Sequence, residues 1–332
     1  MTMASQQQER QAQQRGHWAG FNEVSFVAGM RLLFWICRVF GRWPFRIVLY
    51  PVLAWYVLTH ARARRVSRAY LARIAACGGP AKLGVLRHFG AFAETILDKM
   101  LLWGGLYDTR GVSLHGVDGP DGPDGIDRCI DEGRGALLVC AHLGNLELCR
   151  MLSQRDMRLK LTVLVHTRHA QAFNRMLARL NPDSQLNLMQ VTEITPATAM
   201  LLAEKVAQGE FVVIAGDRIP VSPQPRVAVA PFLGQPAAFP IGPYVLASVL
   251  QCPVYLLFSM RIGQRSEIHF ERLRESLHLP RKSREPMLAE LAAAYAARLQ
   301  HHCLRAPLEW FNFYDFWQLP DTSRLDIPDA TR

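Results

Sequence analysis

No apolar run in this sequence reaches the ~20 residues that a helix needs to cross a bilayer. Its seven cysteines (Cys37, Cys77, Cys129, Cys140, Cys149, Cys252, Cys303) include no Cys-x-x-Cys pair. An odd, scattered set of this kind argues against a disulfide framework and for reduced thiols in a cytosolic compartment. The His-Glu-x-x-His pattern of zinc hydrolases and the Gly-x-Ser-x-Gly elbow of serine hydrolases are both missing. Met1 to Trp18 is Gln-rich and lacks a hydrophobic centre or small-residue cleavage site, so it reads as a disordered lead and not as a secretory signal. Acidic residues are scarce at the same end. Residues 1–80 hold only Glu9 and Glu23 against 11 lysines and arginines.

That imbalance places almost all of the formal +10 charge in the first 80 residues, because the other 252 residues hold 27 basic and 26 acidic side chains. A basic arm attracts either nucleic acid or an anionic membrane, and the residues between the charges decide between them. Here they are greasy. Phe26 to Phe40 is apolar apart from Arg31 and Arg38, and Arg42 continues the same helical face. After Gly41 and Pro44 a second run, Ile47 to Thr59, carries Tyr50, Trp55 and Tyr56 around Pro51, and Arg62, Arg64, Arg65 and Arg68 follow directly. This pattern predicts an interfacial helical arm on an anionic membrane surface, with nucleic acid excluded as a partner. A helical subdomain packed on the core is the alternative.

Composition shifts divide the chain into a lead (1–20), the arm (21–80), a catalytic domain (81–320) and a tail (321–332), with Cys77-Gly78-Gly79-Pro80 as the boundary signal. Residues 81–103 read as a helix and Gly111 to Asp127 as a turn-rich connector. Asp118, Asp121 and Asp124 recur every third residue, whereas a calcium loop needs alternate positions, so no metal is expected there. Short apolar strands are expected at Ala136–Ala141, Leu161–His166, Leu186–Val191, Phe211–Ala215 and Val254–Met260. Helices are expected near 145–154, 169–180, 196–208, 241–250 and 284–302. The alternation implies an α/β fold with a mixed, largely parallel sheet flanked by helices.

The segment from Ala136 to Glu147 carries the chemistry. It reads as strand, tight turn and helix: His142 at the strand's end, Gly144 in the turn, Asn145 as helix cap. Functional groups of open α/β sheets gather at such carboxyl ends. Five residues on one helix would separate His142 and Glu147 by about 140°, so they converge only if the histidine precedes the helix. Glu147, ionised in the first turn, is then expected to accept the imidazole Nδ1–H, leaving Nε2 to take a proton from an attacking hydroxyl or amine. A plain loop histidine and a Glu147–Arg150 pair are the alternative reading. Cys140, two residues before His142, competes as a nucleophile, but a buried strand cysteine is commoner.

His142-Leu143-Gly144-Asn145-Leu146-Glu147 resembles the first motif of the bacterial lipid A late acyltransferases, the lauroyl and myristoyl transferases. Arg168 with Asn174, Gly216-Asp217-Arg218, and Pro231 to Ala237 ahead of a Gly242-led helix follow in matching order. The resemblance covers roughly residues 20–318 and is specific as a series, each motif alone being weak. It implies a glycerolipid-acyltransferase-like fold and a bacterial protein on the cytoplasmic face of the inner membrane, peripheral or monotopic. It also implies acyl-carrier-protein or coenzyme A thioesters as donors, a lipid-like envelope acceptor, and no metal or cofactor. By the same resemblance Asn145, Arg168, Asp217, Arg218, Phe232 and Gly234 are substrate-binding candidates. Arg168 would hold a phosphate or the oxyanion; Asp217 and Arg218 would shape the acceptor site or pair with each other; Phe232 and Gly234 would line the acyl channel or pack beneath the sheet. Relatives acting on lipid A tend to carry Asp-Gln or Asp-His at Asp217-Arg218, and the ending Glu309 to Trp317 also differs. Both features resemble a related branch associated with polyene or other envelope lipids. A thioesterase or esterase and a non-catalytic membrane lipid-binding protein are the rival functions.

Overall fold

The structure, a computed structural model, describes residues 35–116, 125–149, 160–165, 186–190, 195–220 and 225–320. Arg31, Arg168, Asn174, the expected helix at 169–180 and the aspartates of the connector lie outside the described residues.

Three helices come first: α1 (Trp43–Thr59), α2 (Ala61–Ala76) and α3 (Val85–Trp103). β1 (Val112–His115), α4 (Ile126–Asp131), β2 (Leu137–Cys140) and a 3-10 turn (Leu146–Cys149) follow, then β3 (Leu161–Val165), β4 (Leu186–Gln190), α5 (Pro196–Ala207) and β5 (Phe211–Ala215). A hairpin of β6 (Val227–Phe232) and β7 (Gln235–Pro240) leads to α6 (Gly242–Leu250), β8 (Val254–Ile262), β9 (Arg265–Arg274) and α7 (Arg284–Arg305). Among the described residues the main sheet has seven strands in the order β1-β9-β8-β2-β5-β3-β4. Every neighbour pair is parallel except β8 with β9. The architecture is the α/β fold that the alternation of elements predicts.

β2 lies in mid-sheet between β5 and β8 and is buried on both faces. Leu137, Val139 and Ala141 pack with α5, α6, α7 and the β6–β7 hairpin, whereas Leu138 and Cys140 pack with α4 and the 3-10 turn. That is the side-chain alternation of a strand covered on both sides, and it explains why β2 reads as a continuous apolar run. One helix start shows a side-chain cap. At α5 the Thr195 hydroxyl accepts from the Thr198 N–H at 3.2 Å, with Pro196 at the first helical position.

The arm differs from its expected form. Residues 35–40 are helical, and α1 exposes Trp43, Ile47, Val48, Val52, Trp55 and Leu58. Arg42, placed by the sequence on a membrane-facing stripe, instead turns inward to Asp98 of α3 at 2.5 Å, and Arg46 pairs with Glu94 at 2.6 Å. These acids are buried and need a counter-charge, which an outward stripe could not supply. Arg64 donates to the carbonyls of Val57 and Leu58, capping α1, while Arg65 and Arg68 are exposed. Among the described residues no helix is long and apolar enough to cross a membrane.

Candidate active site

Strand register assembles the site. β2 and β5 run parallel with Cys140 opposite Ala215. Two residues beyond each strand end, His142 therefore stands opposite Asp217. The Gly216 N–H donates to the Cys140 carbonyl at 2.8 Å and keeps the two chains together past the last strand residue. A Cβ at Gly216 would lie 2.6 Å from Val139 Cγ1 and 2.9 Å from Tyr295, so only glycine fits between them. Gly144 makes the turn with φ +58°, and its missing side chain admits the Ser259 carbonyl, which a Cβ would meet at 2.4 Å.

His142 Nδ1 lies 2.8 Å from Asp217 Oδ1, and the His142 N–H donates to Asp217 Oδ2 at 2.8 Å. A carboxylate only accepts, so the hydrogen sits on Nδ1 and Nε2 is left with its lone pair. The ring is 32% exposed and Asp217 0%, which places a solvent-facing base on a sealed acid. Two further donors reach Asp217 Oδ2: Trp310 Nε1 at 3.0 Å and Asn312 Nδ2 at 2.9 Å. Burial by itself would raise this carboxyl; the neighbouring His142 and the donated hydrogen bonds outweigh it and hold Asp217 below its ordinary value.

The imidazole Nδ1 thus belongs to Asp217 and not to Glu147, the partner expected from spacing. The cause is register: the β5 end lies directly beside His142. Glu147 sits half-buried on the 3-10 turn, its N–H accepted by the Asn145 side chain at 3.2 Å, so Asn145 caps this turn as expected. The amide nitrogen of Asn145, also buried, has no hydrogen-bond partner among the described residues. Lys99 of α3, half-buried, stands within electrostatic reach of Glu147, Arg218 and Cys140, and burial lowers its pKa. Nothing in the pattern of residues 81–103 marks Lys99, because a lysine on an amphipathic helix normally faces water.

The remaining candidates separate. Asp217 and Arg218 do not pair with each other: Arg218 donates from Nε to Asn312 Oδ1 at 3.0 Å and from Nη2 to the Phe311 carbonyl at 3.2 Å. Phe232 is fully buried in an aromatic cluster with Trp310, Phe316 and Trp317, and Gly234 with Leu233 forms the left-handed turn between β6 and β7. Phe232 is thus packed beneath the sheet, whereas Gly234 is exposed at the hairpin turn.

Glu309 to Trp317 lies as a lid of backbone and donors over the strand ends. The Gly144 N–H donates to the Glu309 carbonyl at 2.8 Å and the Phe311 N–H to the His142 carbonyl at 2.8 Å. The Trp310 carbonyl accepts from His88 Nε2 at 2.9 Å; burial lowers this histidine to a pKa of about 4, so it is neutral at pH 7. Arg218 and the 309–317 ending therefore meet in one hydrogen-bonded unit.

Cys140 is buried, and burial together with the nearby Asp217 pushes its thiol far above the ordinary range. It holds its proton, so a covalent acyl-thiol route is not supported. Cys140→Ala is expected to keep acyl transfer within about tenfold of wild type, measured as labelled lipid formed per minute. A trapped acyl thioester on Cys140 would reverse this reading.

Two His/Glu groups, His115-Glu267-His269 and His269-Glu271-His302, have metal-like spacing. Arg305 donates to Glu267 at 2.7 Å and Arg298 to Glu271 at 2.6 Å, so guanidinium groups already neutralise the carboxylates a cation would need.

The largely parallel α/β sheet thus carries an imidazole held by a buried carboxylate at the carboxyl ends of its central strands. The chain belongs to the bacterial lipid A biosynthesis acyltransferase family, whose sequence pattern matches residues 119–318. It is an acyltransferase, and it acts between an acyl donor and a lipid acceptor. A comparison with curated proteins returned no significant match.

Proposed function

We propose that this acyltransferase moves a fatty acyl group from an acyl-carrier-protein or coenzyme A thioester to a hydroxyl or amine of a lipid-like envelope acceptor. The hydrogen bond between His142 Nδ1 and buried Asp217 carries the reading, because it leaves Nε2 as the proton acceptor of a ring that is one-third exposed. Nε2 takes the acceptor's proton as its oxygen or nitrogen bonds to the thioester carbon. The tetrahedral oxyanion then collapses, the carbon–sulfur bond breaks, and the imidazolium returns its proton to the leaving thiolate. Glu147 is given a supporting electrostatic role beside Lys99. Purified protein with a thioester labelled in its acyl chain and a membrane lipid extract should yield labelled lipid and free thiol in equal amounts. Labelled free fatty acid alone would indicate a thioesterase, and no thiol release a lipid-binding protein.

A cleft of about 860 Å³ lies between the arm and the far ends of β8 and β9, with Arg42, Arg46, Arg87, Arg261 and Arg305 among its walls. Glu309 also lines it, and burial, only partly offset by Arg261, pushes that carboxyl up to about 7. We assign this cleft to the polar head of the acceptor, since Glu309 belongs to the closing segment whose Phe311 N–H bonds the His142 carbonyl.

The proposed location is the cytoplasmic face of the bacterial inner membrane, with the exposed aromatic and aliphatic side chains of residues 35–58 in the interface. Arg65 and Arg68, exposed beside them, each add about 1 kcal/mol of attraction to anionic lipid. Replacing both by glutamate is expected to release protein from vesicles containing anionic lipid in a sedimentation assay. Unchanged binding by the folded variant would count against the arm.

A further inference from the structure

We propose that Asn312 and Arg218 are positioning residues for the transfer reaction, forming a relay from Arg218 through Asn312 and Asp217 to His142. The inference rests on the His142–Asp217 reading above and adds two residues from distant parts of the chain that meet beside Asp217. Arg218 follows β5, whereas Asn312 lies beyond α7 in the closing segment.

The chemistry of the amide decides the direction of the relay. An asparagine side chain has one accepting and one donating end. Arg218 Nε donates to Asn312 Oδ1 at 3.0 Å, and a guanidinium can only donate, so the oxygen must face Arg218. The NH2 end therefore faces Asp217, donating to Oδ2 at 2.9 Å and more weakly to the Asp217 carbonyl at 3.4 Å. Arg218 also donates to the Phe311 carbonyl at 3.2 Å, which fixes the backbone on which Asn312 sits. Asn312 is 3% exposed and Asp217 0%, so neither can exchange these partners for water.

Asp217 Oδ2 thus receives three N–H donors, from the His142 backbone, Trp310 and Asn312. That leaves Oδ1 to the imidazole and stops the carboxylate from rotating. A buried acid so satisfied stays ionised, fixes the imidazole hydrogen on Nδ1 and stabilises the imidazolium formed during transfer. The Asn312 amide is engaged by Arg218 and Asp217, so its effect should fall on the chemical step and not on binding of the donor.

The test compares kcat, KM for the acyl thioester and pH dependence for wild type, Asn312→Ala, Asn312→Asp, Arg218→Met and His142→Ala, each checked for folding by circular dichroism. Asn312→Ala should lower kcat by about 10–100-fold with KM within about twofold. Asn312→Asp has a signature that a merely structural residue lacks. Its carboxyl can stand in for the amide only while protonated, so its kcat relative to wild type should rise as pH falls from 8 to 5.5, whereas the Asn312→Ala ratio stays flat. Arg218→Met, at an exposed side chain, should lower kcat by about 3–10-fold and serves if the buried variants fail to fold. Wild-type kcat in folded Asn312→Ala, or in Arg218→Met where the Asn312 variants are unfolded, overturns the relay, as does a pH-independent Asn312→Asp ratio. If folded His142→Ala keeps its rate, the underlying dyad has failed instead; if His142→Ala is dead and Asn312→Ala is normal, only the relay has.

Discussion

Asparagine in place of Asp217 is expected to slow acyl transfer by about 10²–10⁴-fold while acyl-thioester binding survives. The substitution keeps shape and removes charge, yet the larger effect comes from where its two ends must go. Three N–H donors converge on Oδ2, so the amide oxygen has to take that place. The NH2 group is then turned toward His142 Nδ1 at the 2.8 Å position of the lost carboxylate oxygen. A donor there forces Nδ1 to accept, moves the imidazole hydrogen to Nε2, and leaves the solvent-facing nitrogen unable to take a proton. Glu147→Gln, which leaves the Nδ1 hydrogen bond intact, should lose less rate. The comparison is read from single-turnover transfer of a labelled acyl chain by the two variants. A Glu147 variant slower than Asp217→Asn would return the orienting role to the five-residue spacing.

The placement of His142 at a strand end was legible in the sequence because strand, glycine turn and cap are all local. Gly144 takes the left-handed conformation and Asn145 caps the following turn, as the residue types demand. The acid that bonds the His142 Nδ1 was not legible as that partner. Its position depends on which strands are neighbours, and β2 and β5 lie about 75 residues apart in the chain, as do His142 and Asp217. The resemblance named Asp217, but only as part of an acceptor site. Trp310, Asn312 and Lys99 escaped for a related reason: each is an ordinary aromatic, turn or helix-surface residue until tertiary packing aims its polar end.

The fold divides in the same way. Strands buried on both faces, such as Phe211–Ala215, were found with their limits because a continuous apolar run between turn signals has one simple reading. β9 was missed, since Arg265–Arg274 carries charge at most outward positions, and so was the β6–β7 hairpin, whose Pro231, Pro236 and Pro240 mask strand character. Arg42 shows the limit of helical-face arguments: a face defines a direction, and only the buried Asp98 across from it says which way that direction points.

The central claim, that His142 is the base of a direct transfer, is tested most directly by folded His142→Ala. Alanine removes the proton acceptor and leaves the acyl-donor site in place, so a deficit in chemistry without one in binding separates catalysis from packing. The ring is one-third exposed, and its backbone N–H, which also bonds Asp217, survives the change. Because His142 and Asp217 act as one unit, the double variant with Asp217→Asn should be scarcely slower than the single one. The measurement is incorporation of a labelled acyl chain from its thioester into lipid, beside equilibrium binding of the same thioester. The expected result is transfer reduced by about 10²–10⁴-fold with the dissociation constant unchanged. Near-normal transfer by the folded His142→Ala protein would contradict the mechanism.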